Sequence, residues 1–164
     1  MGRARRRRTA LGGSYTTLPG FTPEIIDALV EAGRTRTSPR SILGIHHCHG
    51  ASTRTPSDQT AFANRREHFM VEIVAGWEPG DGIPHRGWAD AVSAALAPYA
   101  LPGGYQNLLG PDDHEQISEA YGDNAIRLLA AKSHYDPDGM FTAIPLPEPK
   151  AHKMDSDQNR ARSN

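Results

Sequence analysis

Apolar residues fall into a few well-separated blocks along the chain, and each block carries its own period. In "FTPEIIDALVEAGRT" Ile25, Ile26, Leu29 and Val30 recur at helical spacing behind Thr22 as N-cap and Pro23 at the first helical position, which predicts a helix over Glu24–Glu31. "SILGIHHCHGAS" follows the Pro39 break, is rich in residues that suit a pleated surface and ends at Gly50, so it reads as a strand. "HFMVEIVAGW", His68 to Trp77, is apolar on both alternating faces, the pattern of a central, buried strand. Trp88, Val92, Ala95 and Leu96 then predict a helix over Gly87–Ala97 packed on that sheet, stopped by Pro98. A last helical run is expected over His114–Ser133, with Ile126, Leu129 and Ala130 on one side and the Asp136–Gly139 turn closing it. Strands alternating with helices predict an α+β fold, a mainly antiparallel sheet backed by helices on one side.

Between the last two helices lies "LPGGYQNLLGPDD", which holds too many turn formers for a helix yet carries Tyr105, Asn107 and two leucines. If "GYQNLL" is extended, Tyr105 and Asn107 share one face and Gln106 and Leu108 the other. A phenol and an amide side by side suit a planar polar ligand, while a structural corner would use the same two residues for packing and capping.

Composition limits what such a domain can do. The 164 residues, 37% of them hydrophobic, are enough for one core, with a second not expected. Eighteen basic residues stand against 19 acidic ones, so no global field draws the chain to nucleic acid or to an anionic membrane. The run Arg3–Arg8 is read as a solvated arm over residues 1–20, because no aromatic residue interleaves it and no apolar stretch of about 7–15 residues follows to make an export signal. The body is expected over 21–147, and a polar, disordered tail over 148–164. No segment approaches the roughly 18 apolar residues of a membrane span. The single cysteine, Cys48, cannot form an internal disulfide, and a reducing, cytoplasmic setting is the expectation.

Three places carry candidate chemistry. "HHCHG", His46 to Gly50, has the donor types of a metal site, but on a strand His46 and Cys48 point one way and His47 and His49 the other, so the ligands do not converge. No metal is expected, and His47 and His49 are candidates for lining a substrate pocket. Glu72 lies inside "FMVEIVA", where a carboxylate must face solvent, find a partner, or serve as a general base set against an apolar wall. Tyr105 and Asn107 form the third place.

The run "PGGYQNLLGPDD", continued by "AYGDNAIRLLAAKSHYDPDGMFTAIPLP", resembles the C-terminal berberine-bridge-enzyme-like (BBE) segment of bacterial FAD-linked oxidoreductases. "GASTRTPSDQTAFANRREHFMVEIVAGW" is similar to the strand pair before it, and the resemblance covers roughly Thr22 to Pro147, with the BBE-like segment at 101–147. It implies part of the substrate domain of a vanillyl-alcohol-oxidase-like flavoenzyme. That domain meets a separate flavin domain, whose Gly-rich pyrophosphate loop has no counterpart here. The implied activity is oxidation of a small alcohol, amine or sugar-like substrate by hydride transfer to FAD. Glu72 or Tyr105 would take the proton, and Tyr105 and Asn107 would face the flavin across the Gly103–Gly104 turn. Plant-type members have a tyrosine directly after the motif's Asn, used as a base; here that position is Leu108, which turns attention to Glu72. A lone chain is expected to bind FAD weakly and to need a separate flavin-domain subunit, or a second copy of itself, as partner. Two other functions fit the same residues, an orphan interaction module and a redox-independent cyclase.

Overall fold

The computed structural model describes residues 9–110 and 113–147; the Arg run and the tail expected over 148–164 lie outside them. Three strands, β1 (Ala10–Leu18), β2 (Ile42–Cys48) and β3 (His68–Trp77), form one antiparallel sheet in the order β1-β3-β2. The central position of β3 is the one its pattern predicts. Val71, Ile73, Ala75 and Trp77 point to one face and are buried, while Met70, Glu72 and Val74 point to the other and are half exposed.

Two α-helices cover the first face. α3 (Ile83–Leu96) packs on β1 and β3 through Trp88, Ala89, Val92 and Leu96, and α1 (Pro23–Arg34) packs on α3. Ala89 takes the buried place that the helical pattern assigns to Ala95, which is exposed. The Trp88 indole N–H donates to Ala32 O at 3.0 Å and fastens α3 to α1. Thr22 caps α1 as its sequence implies, its Oγ1 accepting from Ile25 N–H.

The structure corrects four expectations. Ala10–Leu18 is not part of an arm: it is a nine-residue strand paired with Phe69–Trp77 of β3, because Tyr15, Thr16 and Thr17 are strand formers with a partner strand to pair with. Gly13 belongs in it because a Cβ there would stand 2.2 Å from Ile73 O. The helix expected over His114–Ser133 is two, α4 (His114–Ala120) and α5 (Asn124–Tyr135), broken at Gly122, whose φ of 49° lies in the left-handed region. Ile126 is exposed, and α5 turns Ala125 and Leu128 inward instead. Finally, a second small core exists, built from Ile117, Ala120 and Tyr121 with Leu109, Ala125, Leu128 and Leu146 around it. A short four-residue helix, α2 (Ala51–Arg54), follows β2.

Candidate functional site

On the sheet face away from α1 and α3, Glu72 and His46 converge beside Tyr15. β1 and β2 flank β3 so that Tyr15 and Gly44 are the cross-strand partners of Glu72, and the three lie in one row. The Glu72 carboxylate reaches over Gly44 to His46, with Oε2 3.2 Å from Nε2. On its other side a cavity of about 250 Å³ opens, lined by Leu11, Gly13, Tyr15, Glu72, Val74 and Leu108. Among the described residues Glu72 is the only charged one in that lining, so whatever enters meets one carboxylate between largely apolar walls.

Tyr15 is the hinge between this face and the Gly-Gly segment. Its hydroxyl is enclosed without a hydrogen-bond partner among the described residues. Burial pushes its ionisation up to about 12, the charge of Asp113 pushes the same way, and the Tyr105 backbone N–H, close but outside good hydrogen-bond geometry, offsets part of this. A Cβ on Gly104 would lie 1.8 Å from Tyr15 Oη, and Gly103 has a φ of 84° and faces α4 so closely that a Cβ on it would stand 3.2 Å from Glu119 O. The two glycines are thus required by close approach and by a turn, and both approaches are made to this chain's own Tyr15 and α4.

The segment after the glycines is not extended. Gln106–Leu108 forms a 3-10 turn, so the strand-face argument for Tyr105 and Asn107 does not hold, yet the turn joins them directly: Asn107 Nδ2 donates to Tyr105 Oη at 2.8 Å. Both are exposed, with Tyr105 edge-on to Phe62. Gln106 is buried and donates to Ala120 O at 2.9 Å, and Leu109 packs in the second core. Leu108 faces the Glu72 cavity.

His47 and His49 lie on the opposite face from Glu72. His47 stacks on Phe69 and on His49, with ring centroids 4.2 Å apart in both cases, and its Nε2 pairs with Glu67 Oε1 at 2.8 Å. The structure therefore separates these two histidines from Glu72 and puts His46 there instead. Strand alternation alone already divides His46 from His47 and His49; what the sequence lacks is the register that sets His46 diagonal to Glu72. Among the described residues no group of three His, Cys, Asp or Glu side chains is arranged to hold a metal.

Two larger cavities, of about 640 and 580 Å³, lie beside α4. Neither includes Glu72. The first is lined by Asp113, Glu115 and Glu119, acidic groups that would repel a pyrophosphate. The second mixes Arg65 and Arg66 with Asp58, Glu119 and Asp123, so of the two only the first is set against an anionic ligand by its charges.

No family model matches the chain. An uncharacterized FAD-linked oxidoreductase of Bacillus subtilis (strain 168), YvdP, is 32% identical over 93 residues, which is 56% of this chain and 21% of that protein. Among solved structures, berberine bridge enzyme from Eschscholzia californica superposes with a TM-score of 0.69 at 18% identity, over 88% of this chain and 34% of that one. BBE-like #28 from Arabidopsis thaliana gives 0.67 at 20% identity over 84% and 33%, and Physcomitrella patens BBE-like 1 gives 0.64 at 22% over 83% and 31%. The chain thus spans about a fifth of the curated relative and a third of these structures. With fold and sequence similarity in agreement, the chain resembles a segment of an FAD-linked oxidoreductase and has the fold of the matching third of the berberine-bridge-enzyme-like structures.

Proposed function

We propose that this chain forms the substrate side of an FAD-dependent oxidoreductase, acting on a small molecule that enters the Glu72 cavity, with the flavin held by another polypeptide portion. The observation that carries this reading is the single carboxylate between Leu11, Val74 and Leu108 on the sheet face away from α1 and α3. In that reading Glu72 accepts the proton of a substrate hydroxyl or amine. Tyr15 and Leu108 confine the substrate, and the joined Tyr105–Asn107 pair borders the flavin side. Bound FAD would supply the hydride acceptor. Leu11, 69% exposed, and Ile42, 57% exposed, share this face and favour its being covered by a partner rather than by water.

The test is a titration of FAD into the chain alone and in the presence of the flavin-domain portion of the Bacillus subtilis relative. The lone chain should bind FAD no tighter than micromolar, because in this reading the pyrophosphate and adenine contacts belong to the separate flavin domain, and should form a complex with the added flavin domain. Submicromolar binding by the lone chain, or no complex with the flavin domain, would overturn the proposal.

A further inference from the structure

The space beside Glu72 is shaped by a missing side chain. Gly44 is the residue paired with Glu72 across β2 and β3, and a Cβ on it would stand 3.1 Å from Glu72 Oε2 and 3.5 Å from His46 Nε2. The carboxylate lies in the notch this glycine leaves and reaches the diagonal neighbour, His46. We propose that His46 is a positioning residue for Glu72: its Nε2–H donates to Oε2 and ties that oxygen to β2, which leaves Oε1 for whatever occupies the cavity.

The pair is exposed enough that it adds little stability; side-chain exposures are 52% for His46 and 35% for Glu72. Its effect is on orientation. A glutamate on a half-open sheet face carries rotamer freedom, and a carboxylate that must meet a substrate proton within hydrogen-bond distance gains from having that freedom removed beforehand. No other described side chain does this work: the other groups lining the cavity are apolar, glycine or hydroxyl-bearing, Tyr15 Oη is enclosed, and His47 and His49 occupy the far face. The glycine and the histidine act as one device, the first making room and the second supplying the donor.

The inference deepens the reading of Glu72 as proton acceptor and rests on it for its functional meaning, but the geometry is measurable in the chain alone. NMR relaxation of the Glu72 side-chain methylene carbons reports the order of the carboxylate arm. Wild type should be ordered, His46→Gln should stay ordered because the amide keeps an N–H donor at similar reach, and His46→Ala should lower the order parameter by about half. Gly44→Ala should lower it similarly by filling the notch, and the backbone amide spectrum checks that each variant remains folded. Equal Glu72 order in wild type and His46→Ala would overturn the inference, as would an unchanged Gly44→Ala. Failure here leaves the FAD and flavin-domain titration unaffected, so the two proposals fail separately.

Discussion

The sheet layer and the α4–α5 pair are held together by different forces. In the sheet layer Leu18, Val71, Ile73, Ala75, Trp77, Trp88, Val92 and Leu96 form one continuous buried cluster between β3 and the helices. Among the described residues the α4–α5 region buries the apolar Ile117, Ala120 and Tyr121 together with Asn124, and relies on polar stitches. Asn124 Nδ2 donates to Ser57 O and Thr60 O, Gln106 Nε2 to Ala120 O, and Tyr121 Oη to Pro145 O. The first region resists opening by burial; the second is a cap pinned to loops, from which local unfolding is expected to start. The candidate site lies on the rigid region, and the joined Tyr105–Asn107 pair lies on the segment leading to the pinned one.

Truncation in each core sharpens this contrast most. Ile73→Ala, at a fully buried position, should cost about 2–5 kcal/mol in chemical denaturation and lower the global midpoint. Leu128→Ala, at the partly buried rim of the second core, should cost about 1 kcal/mol and raise hydrogen exchange in α4 and α5 without changing that of β3. Equal costs, or exchange rising in β3 as well, would mean that the two regions open as one.

Gly104→Ala addresses the joint between them. Its Cβ would occupy the place of Tyr15 Oη, so either the phenol or the 101–109 segment must move, at about 1–3 kcal/mol. Exchange protection should fall in α4 while the β1–β3 ladder stays protected. Loss of protection along the ladder would show Tyr15 to be an anchor of the sheet instead of the segment.

The smallest effect is expected from alkali. Tyr15 titrates near 12 in the folded chain against about 10 when unfolded, so the folded state holds its proton more tightly. Its contribution is fully present below about pH 10 and is lost as pH rises toward 12, an effect on the order of 1 kcal/mol after allowing for its partial exposure. Tyr15→Phe should flatten the fall in melting temperature over that window; an unchanged slope would remove Tyr15 as its source.

Much of the sheet layer was legible because its information is local. The continuous apolar run of His68–Trp77 needs two covered edges, and Thr22–Pro23 announces a helix start, so both elements lie where their patterns put them. β1 was hidden because Gly12 and Gly13 weaken its local signal; only pairing with β3 makes it a strand. The split at Gly122 and the turn at Gln106 were hidden for a related reason: apolar spacing continued across them, while the backbone followed the contacts of Gln106 with Ala120 and of Asn124 with the 57–60 loop.

For the site, the sequence by itself determined the residue types, the alternation of faces along each strand, and the oddity of a glutamate inside an apolar strand. The tertiary structure decided which of those faces met. Alternation has a period of two and fixes parity within one strand, but the register between strands is a long-range choice made by burying Val71, Ile73, Ala75 and Trp77 under α3. That burial sets Gly44 opposite Glu72, brings His46 within 3.2 Å of its carboxylate and sends His47 and His49 to the other side.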